Sequence, residues 1–147
     1  MKRALHVLVG AVLAATLIAP SVSAAQQGVE GGGWSETTGS YSTSSGGISA
    51  KRSFREGVPH HSGEAQRKSI NGTTHKRAHG WTRWNGVCHH TTAQLEHHWP
   101  RGQVISSSGR VKRWHYSEAW SSWVAYNPNA RSNGYGLART YYGRSCS

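Results

Sequence analysis

"GVCHHTTAQLEHHW", residues 86–99, sets two His-His pairs eight residues apart around one cysteine and one glutamate. Read at period two, its odd positions are Val87, His89, Thr91, Ala93, Leu95, His97 and Trp99. Its even positions are Cys88, His90, Thr92, Gln94, Glu96 and His98. The apolar residues gather on the odd side, the pattern of a half-buried β-strand. This predicts a long strand with Val87, Ala93, Leu95 and Trp99 turned inward. A short helix starting at Thr92 is the competing reading. The four histidines are zinc-ligand types, yet residues eight apart are about 27 Å apart on a strand and about 12 Å apart on a helix. Neither geometry places both pairs around one ion without a bend or help from His115. The expectation is polar strand residues facing water, with no metal and no cofactor assigned.

The same period continues downstream. Pro100, Arg101 and Gly102 make a turn. "QVIS" (103–106) reads as a short strand, "SSG" as a tight turn and "RVKRWHY" (110–116) as the returning strand. Trp114 and Tyr116 share one face of it, and Trp120 and Val124 continue that face if the strand runs on. "NPNARSNGYG" (127–136) is a loop. "LARTYYG" (137–143) is a last strand, with Leu137, Arg139 and Tyr141 on one side and Ala138, Thr140 and Tyr142 on the other. Six of the seven Trp fall in residues 80–147, and such side chains bury enough area to carry a small core. The expected fold is all-β: a small antiparallel sandwich or sheet of about five strands over residues 80–147.

Upstream the chemistry changes. Residues 1–25 read as a signal peptide: Lys2 and Arg3, an apolar run, then Pro20 and the small residues "SVSAA". The run is shorter than the ~20 residues needed to span a bilayer, and no second apolar run follows, so a secreted protein without a transmembrane segment is expected. Residues 26–79 are rich in Gly, Ser and basic residues, with few and scattered bulky apolar ones. That composition predicts a flexible or extended N-terminal arm, pieces of which order against a partner or add to a sheet edge. All six acids are Glu, and the chain without Lys2 and Arg3 carries a formal +9. Such a charge favours anionic partners, including an anionic cell surface. Cys88 and Cys146 are the only cysteines. In an exported chain they read as one disulfide, closing a 58-residue loop and contributing roughly 4 kcal/mol in the chain-entropy account.

Three chemistries compete. A small secreted basic nuclease would pair Glu96 as base with His97 or His98 and use Arg110 and Arg139 on phosphate. No spacing signature supports it, and nucleic acid is not the expected partner. Hydrolase chemistry lacks G-x-S-x-G and any Asp. A binding module suits best, because Trp, Tyr and Arg are the types enriched at interface hot spots. The candidate contacts are Trp34, Tyr41 and Phe54 in the arm with Trp120 and Trp123 in the domain, and no catalytic residue is assigned.

The segments "CHHTTAQLE", "SSGRVKRW" and "ARTYYG", with an aromatic stretch between the last two, resemble the lactococcin-like bacteriocin families and the small adaptor subunit of actinobacterial umbrella toxin particles. "VEGGGW" is similar to the way lactococcin-like peptides begin. The likeness covers roughly the last half of the chain, and the Ser/Gly and basic arm departs from a compact bacteriocin. An adaptor resemblance implies a non-catalytic role in antagonism between bacteria. The β-domain would dock on a large repeat-containing toxin subunit, and the arm would engage a lectin-like subunit.

Overall fold

The structure, a computed structural model, describes residues 31–43 and 57–144. The expected signal peptide, Phe54 and Cys146 lie outside the described residues. The described chain is all-β and contains no helix. It forms β1 (Gly31–Ser35), β2 (Gly39–Thr43), β3 (His60–Ile70), β4 (Thr73–Glu96), β5 (Val104–Ser107), β6 (Val111–Trp120), β7 (Val124–Ala125) and β8 (Leu137–Arg144).

These strands make one curled antiparallel sheet with β4 as its spine. On one edge of β4 lie β3, along residues 73–83, and β8, along residues 89–96. On the other lie β7, β6 and β5 in turn. β8 carries β1, and β1 carries β2. A bulge lets one strand serve both halves. Trp84 stands opposite His115 and Cys88 opposite Trp114, so residues 85–87 are extra on β4; Gly86 (φ 75) and His115 (φ 63) take left-handed conformations there. Inserting an odd number of residues reverses the side-chain alternation. Before the bulge Lys76, Ala78, Gly80, Thr82 and Trp84 are buried; after it Val87, His89, Thr91, Ala93 and Leu95 are. Both sets reach one interior, where Ala78 clusters with Ala93, Leu95, Ala119 and Ala138.

The two halves meet closely because the residues between them are small. A Cβ on Gly80 would lie 2.6 Å from Thr140 Cγ2. One on Gly63 would lie 2.6 Å from Thr140 Oγ1 and 2.8 Å from the Trp34 ring. The interior is also polar, and a run of hydrogen bonds joins one histidine to its hydroxyls. His61 bonds Thr140 Oγ1 and Thr82 Oγ1, each at 2.8 Å; Thr82 Oγ1 meets Thr91 Oγ1 at 2.6 Å, and Thr91 Oγ1 meets Ser117 Oγ at 2.5 Å. The His61 ring stacks on Tyr142 at 4.7 Å, and burial lowers its pKa from 6.5 to about 4.

That shift gives a first prediction. The unfolded chain takes up this proton before the native one does, so the native state loses stability as pH falls from about 6.5 to about 4. The loss is on the order of 3 kcal/mol. Urea midpoints measured against pH should flatten over that window in His61→Gln. A variant curve parallel to wild type would remove His61 as the cause.

Several expectations are corrected. The roughly five strands expected over residues 80–147 are β4 to β8, and β1, β2 and β3 form ahead of them, making one eight-stranded sheet. The boundary at 79/80 falls inside β4, and the segment read as an arm supplies β1, β2, β3 and the start of β4. The local cause is the two-residue Asn71–Gly72 turn, with φ of 50 and 77, which closes β3 on β4 as a hairpin. Trp99 lies beyond the strand end and is 74% exposed, because the chain turns at His97, whose amide donates to the Gln103 carbonyl at 2.8 Å. Thr92 onward continues as strand to Glu96, not helix. β5, β6 and β8 form where strands were expected, and β8 buries Ala138, Thr140 and Tyr142. Among the described residues no cysteine is free. Cys88 is half-buried just past the bulge, and the pairing with Cys146 lies outside the described residues.

Candidate functional site

The alternation that buries Lys76 to Trp84 turns the residues between them outward. His75, Arg77, His79, Trp81 and Arg83 therefore line the outer face of β4, flanked by β3 and β6. Register sets them in rows: His60, Arg83 and Tyr116; Ser62, Trp81 and Glu118; Glu64, His79 and Trp120. The next position pairs Arg77 with Gln66, whose Oε1 accepts from Arg77 Nε at 2.7 Å. Aromatic rings and cations thus interleave along one sheet face.

The rings are held in place. His79 stacks on Trp120 with ring centres 4.8 Å apart and planes 6° apart, and it is tilted against Trp81 at 4.9 Å. Arg77 lies over Trp123 at 4.5 Å, and Lys68 lies over the same ring at 4.3 Å. Such cation–π contacts contribute roughly 0.5–1 kcal/mol at exposed sites. His79 Nδ1 faces Glu64 Oε1 at 3.0 Å and its Nε2 faces Glu118 Oε1 at 2.7 Å. The imidazolium donates to both carboxylates, whereas either neutral tautomer donates to one. The hydrogen bonds from His79 and Gln66 hold the Glu64 carboxyl below its ordinary range. Burial and a hydrogen bond to Glu118 push the Tyr116 phenol up. At the Tyr116 end the face opens into a concavity lined by His60, Ser62, Trp81, Arg83 and Asn85. Arg83 offers a planar cation there, Asn85 an amide, and Trp81 and Tyr116 flat apolar surface.

Of the expected contact residues, the structure brings together Trp120 and Trp123, bridged by Arg77. Trp120 is 42% exposed and Trp123 half-buried. Trp34 packs against the core cluster instead, because Gly63 leaves room for its ring. Tyr41 is 39% exposed on β2, on the other half of the sheet. Phe54 lies outside the described residues. Arg77, Trp81, Arg83, Tyr116 and Lys68 were missed; the period-two alternation across residues 75–84 is the signal that finds the first three, while Tyr116 and Lys68 join them through the pairing of β6 and β3 with β4.

The alternative nuclease residues are placed differently. Glu96 is 3% exposed; it accepts a hydrogen bond from Tyr141 Oη and meets Arg139 Nε at 3.4 Å. Arg139 thus serves Glu96, while His97 and His98 lie past the strand end. A general base must be reachable by substrate, and this carboxylate is covered. No group of three or more His, Cys, Asp or Glu among the described residues is placed to hold a metal, and no helix among them is long and apolar enough to cross a membrane. The β3–β4–β6 face offers ring surfaces to flat or apolar groups and cations to anions. No protein-family model, curated protein or solved structure matches this chain.

Proposed function

We propose that this chain is an exported, non-catalytic binding protein used in antagonism between bacteria, an adaptor joining subunits of a secreted toxin particle or a bacteriocin-like component. The observation that carries this reading is the ordered face of Trp81, Trp120 and Trp123 interleaved with Arg77, Arg83 and Lys68. Aromatic and Arg side chains held rigid before contact lose little entropy on binding. The resemblance of "CHHTTAQLE", "SSGRVKRW" and "ARTYYG" supplies the biological setting. The partners it suggests are a large repeat-containing toxin subunit and a lectin-like subunit.

The test is to purify affinity-tagged full chain from the supernatant of its own producing culture and size the product. A stoichiometric complex with other secreted proteins is expected. Trp120→Ala/Trp123→Ala should weaken it by at least about tenfold, the effect of losing interface anchors. A chain that elutes alone would overturn the adaptor reading. RNA cleavage by the purified protein that disappears in Glu96→Gln would replace it with the nuclease.

A further inference from the structure

We infer that the concavity at the Tyr116 end of the β3–β4–β6 face takes one residue of an acidic sugar, a hexuronic acid whose carboxylate lies against Arg83 and whose ring lies against Trp81 and Tyr116. The inference rests on the reading of this face as a binding surface and adds a second class of ligand to the protein partners above. The concavity measures about 580 Å³, inside the roughly 300–1,000 Å³ of small-molecule sites. Asn85 is one of the extra residues of the β4 bulge, a device that re-aims side chains beside binding sites. Its carbonyl accepts from the Gly57 amide at 3.2 Å, and the Gly57 carbonyl takes Trp84 Nε1 at 2.7 Å. The backbone that presents the Asn85 amide is thereby anchored to the core. Opposite the bulge His115 holds φ 63, uncommon for a residue with a side chain, and its Nδ1 accepts from the Gly86 amide at 3.2 Å. Backbone of this kind clusters at ligand sites, where its surroundings hold it in place.

Charge and polarity select the ligand. Arg83 is the permanent cation of the described lining; burial keeps His61 neutral, with a pKa of about 4, and its ring nitrogens are engaged by Thr82 and Thr140. The four described glutamates serve other groups. Glu36 holds Lys76 and Arg67, Glu64 and Glu118 hold His79, and Glu96 holds Arg139. The exposed Arg83 guanidinium therefore offers its planar fork to a carboxylate from outside. One permanent cation matches one negative charge per residue of ligand. Glu118 stands in the adjoining row and keeps 29% exposure, which disfavours the second charge of a phosphate monoester. Ser62 and Asn85 both donate and accept, as sugar hydroxyls require. Trp81 and Tyr116 supply flat apolar surface for the C–H face of a pyranose. A stacked base is served less well, because the His79 ring tilts against Trp81 at 4.9 Å and takes part of its surface.

The probes are trimers of galacturonic, glucuronic and mannuronic acid, titrated into the full chain and followed by tryptophan fluorescence and calorimetry. At least one is expected to bind. Its methyl ester, and the acid itself on Arg83→Gln, should each bind at least about tenfold more weakly, the loss of a charge-assisted pair. Asn85→Ala should weaken binding by a smaller factor. Both side chains are exposed, and circular dichroism checks that the variants fold. Failure of all three trimers at millimolar concentration, or equal binding of the methyl esters, would overturn the inference. A triglutamate peptide that binds as tightly, with the same dependence on Arg83, would replace the sugar with an acidic peptide. Oligouridylate that does so would replace it with nucleic acid. Trimer binding that appears only in Glu56→Gln would make the chain's own Glu56 the occupant and overturn it as well. Trimer binding with no secreted complex would keep the sugar site and sink the adaptor reading. A secreted complex with no trimer binding would keep the adaptor and sink the sugar site.

Discussion

Trp84→Ala is expected to lower the unfolding free energy by about 3–5 kcal/mol, the range for removing a large aromatic side chain from a core. Trp84 is fully buried beside the bulge in β4. Its ring meets the edge of Tyr142 at 6.1 Å, tilts against His89 at 6.1 Å and carries the Arg144 guanidinium at 4.9 Å. Its Nε1 donates to the Gly57 carbonyl at 2.7 Å. Truncation removes the ring, leaves that carbonyl without its donor and opens a cavity where the two halves of β4 join. A small domain has only ~5–15 kcal/mol to lose, so partial unfolding at moderate temperature should be visible. Urea denaturation compared with Trp84→Phe checks this, and Phe should recover a large part of the loss. A deficit below about 1 kcal/mol in the Ala variant would contradict the packing described.

Glu36→Ala should cost about 3 kcal/mol, for an electrostatic reason. Lys76 is 2% exposed. Its Nζ contacts Glu36 Oε2, donates to the Gly136 carbonyl at 2.7 Å and sits 4.9 Å from the centre of the Tyr135 ring. Glu36 also takes Arg67 on Oε1 at 2.6 Å and the Ala138 amide on Oε2 at 3.1 Å. Removing the carboxylate strands a buried cation, a loss of about 3–5 kcal/mol in enclosed pairs; the lower end applies because Glu36 keeps 20% exposure. Burial raises the Glu36 pKa, yet the Lys76 hydrogen bond, the Ala138 amide and the charges of Lys76 and Arg67 bring it below its ordinary 4.5. A depressed native value means the stabilisation is present above pH 4.5 and is lost as pH falls through that lower value. Denaturation across acid pH should show this loss in wild type and not in Glu36→Ala. Glu36→Gln keeps an acceptor for the amide and should fall between the two.

These two sites also show why half the fold was legible in the sequence and half was not. β5, β6 and β8 read directly because each is short, alternating and bounded by turn residues. On the odd side of residues 87–95, Val87, Ala93 and Leu95 read correctly for the same reason, but His89, expected to face water, is fully buried, its ring nitrogens lying 2.9 Å from the Val87 carbonyl and 3.2 Å from the Thr82 carbonyl. The segment before residue 80 did not, because its composition was weighed by counting bulky apolar side chains. Gly63 and Gly80 instead admit Thr140 and Trp34 at close range, and Lys76 is made acceptable inside by Glu36. Those partners lie far along the chain, so no window around Lys76 or Gly80 reveals them. Asn71–Gly72 and the alternation over 75–84 were local signals, and read together they give the hairpin. At the candidate site Trp120 and Trp123 were legible as residue types. Their assembly with Trp81 and Arg77 depends on the pairing of β6 with β4, which spacing alone does not fix.

The bulge at residues 85–87 makes β4 behave like a reading frame. Deleting or inserting one residue there would leave every downstream side chain chemically intact and put each on the wrong side. Leu95 and Ala93 would face out, and Gln94 would face the core. Two residues gained or lost would preserve the sense of the strand. Length variation among chains sharing this fold should therefore be even-numbered between Trp84 and Cys88, whatever residues occupy it, and unconstrained in parity across the 127–136 loop.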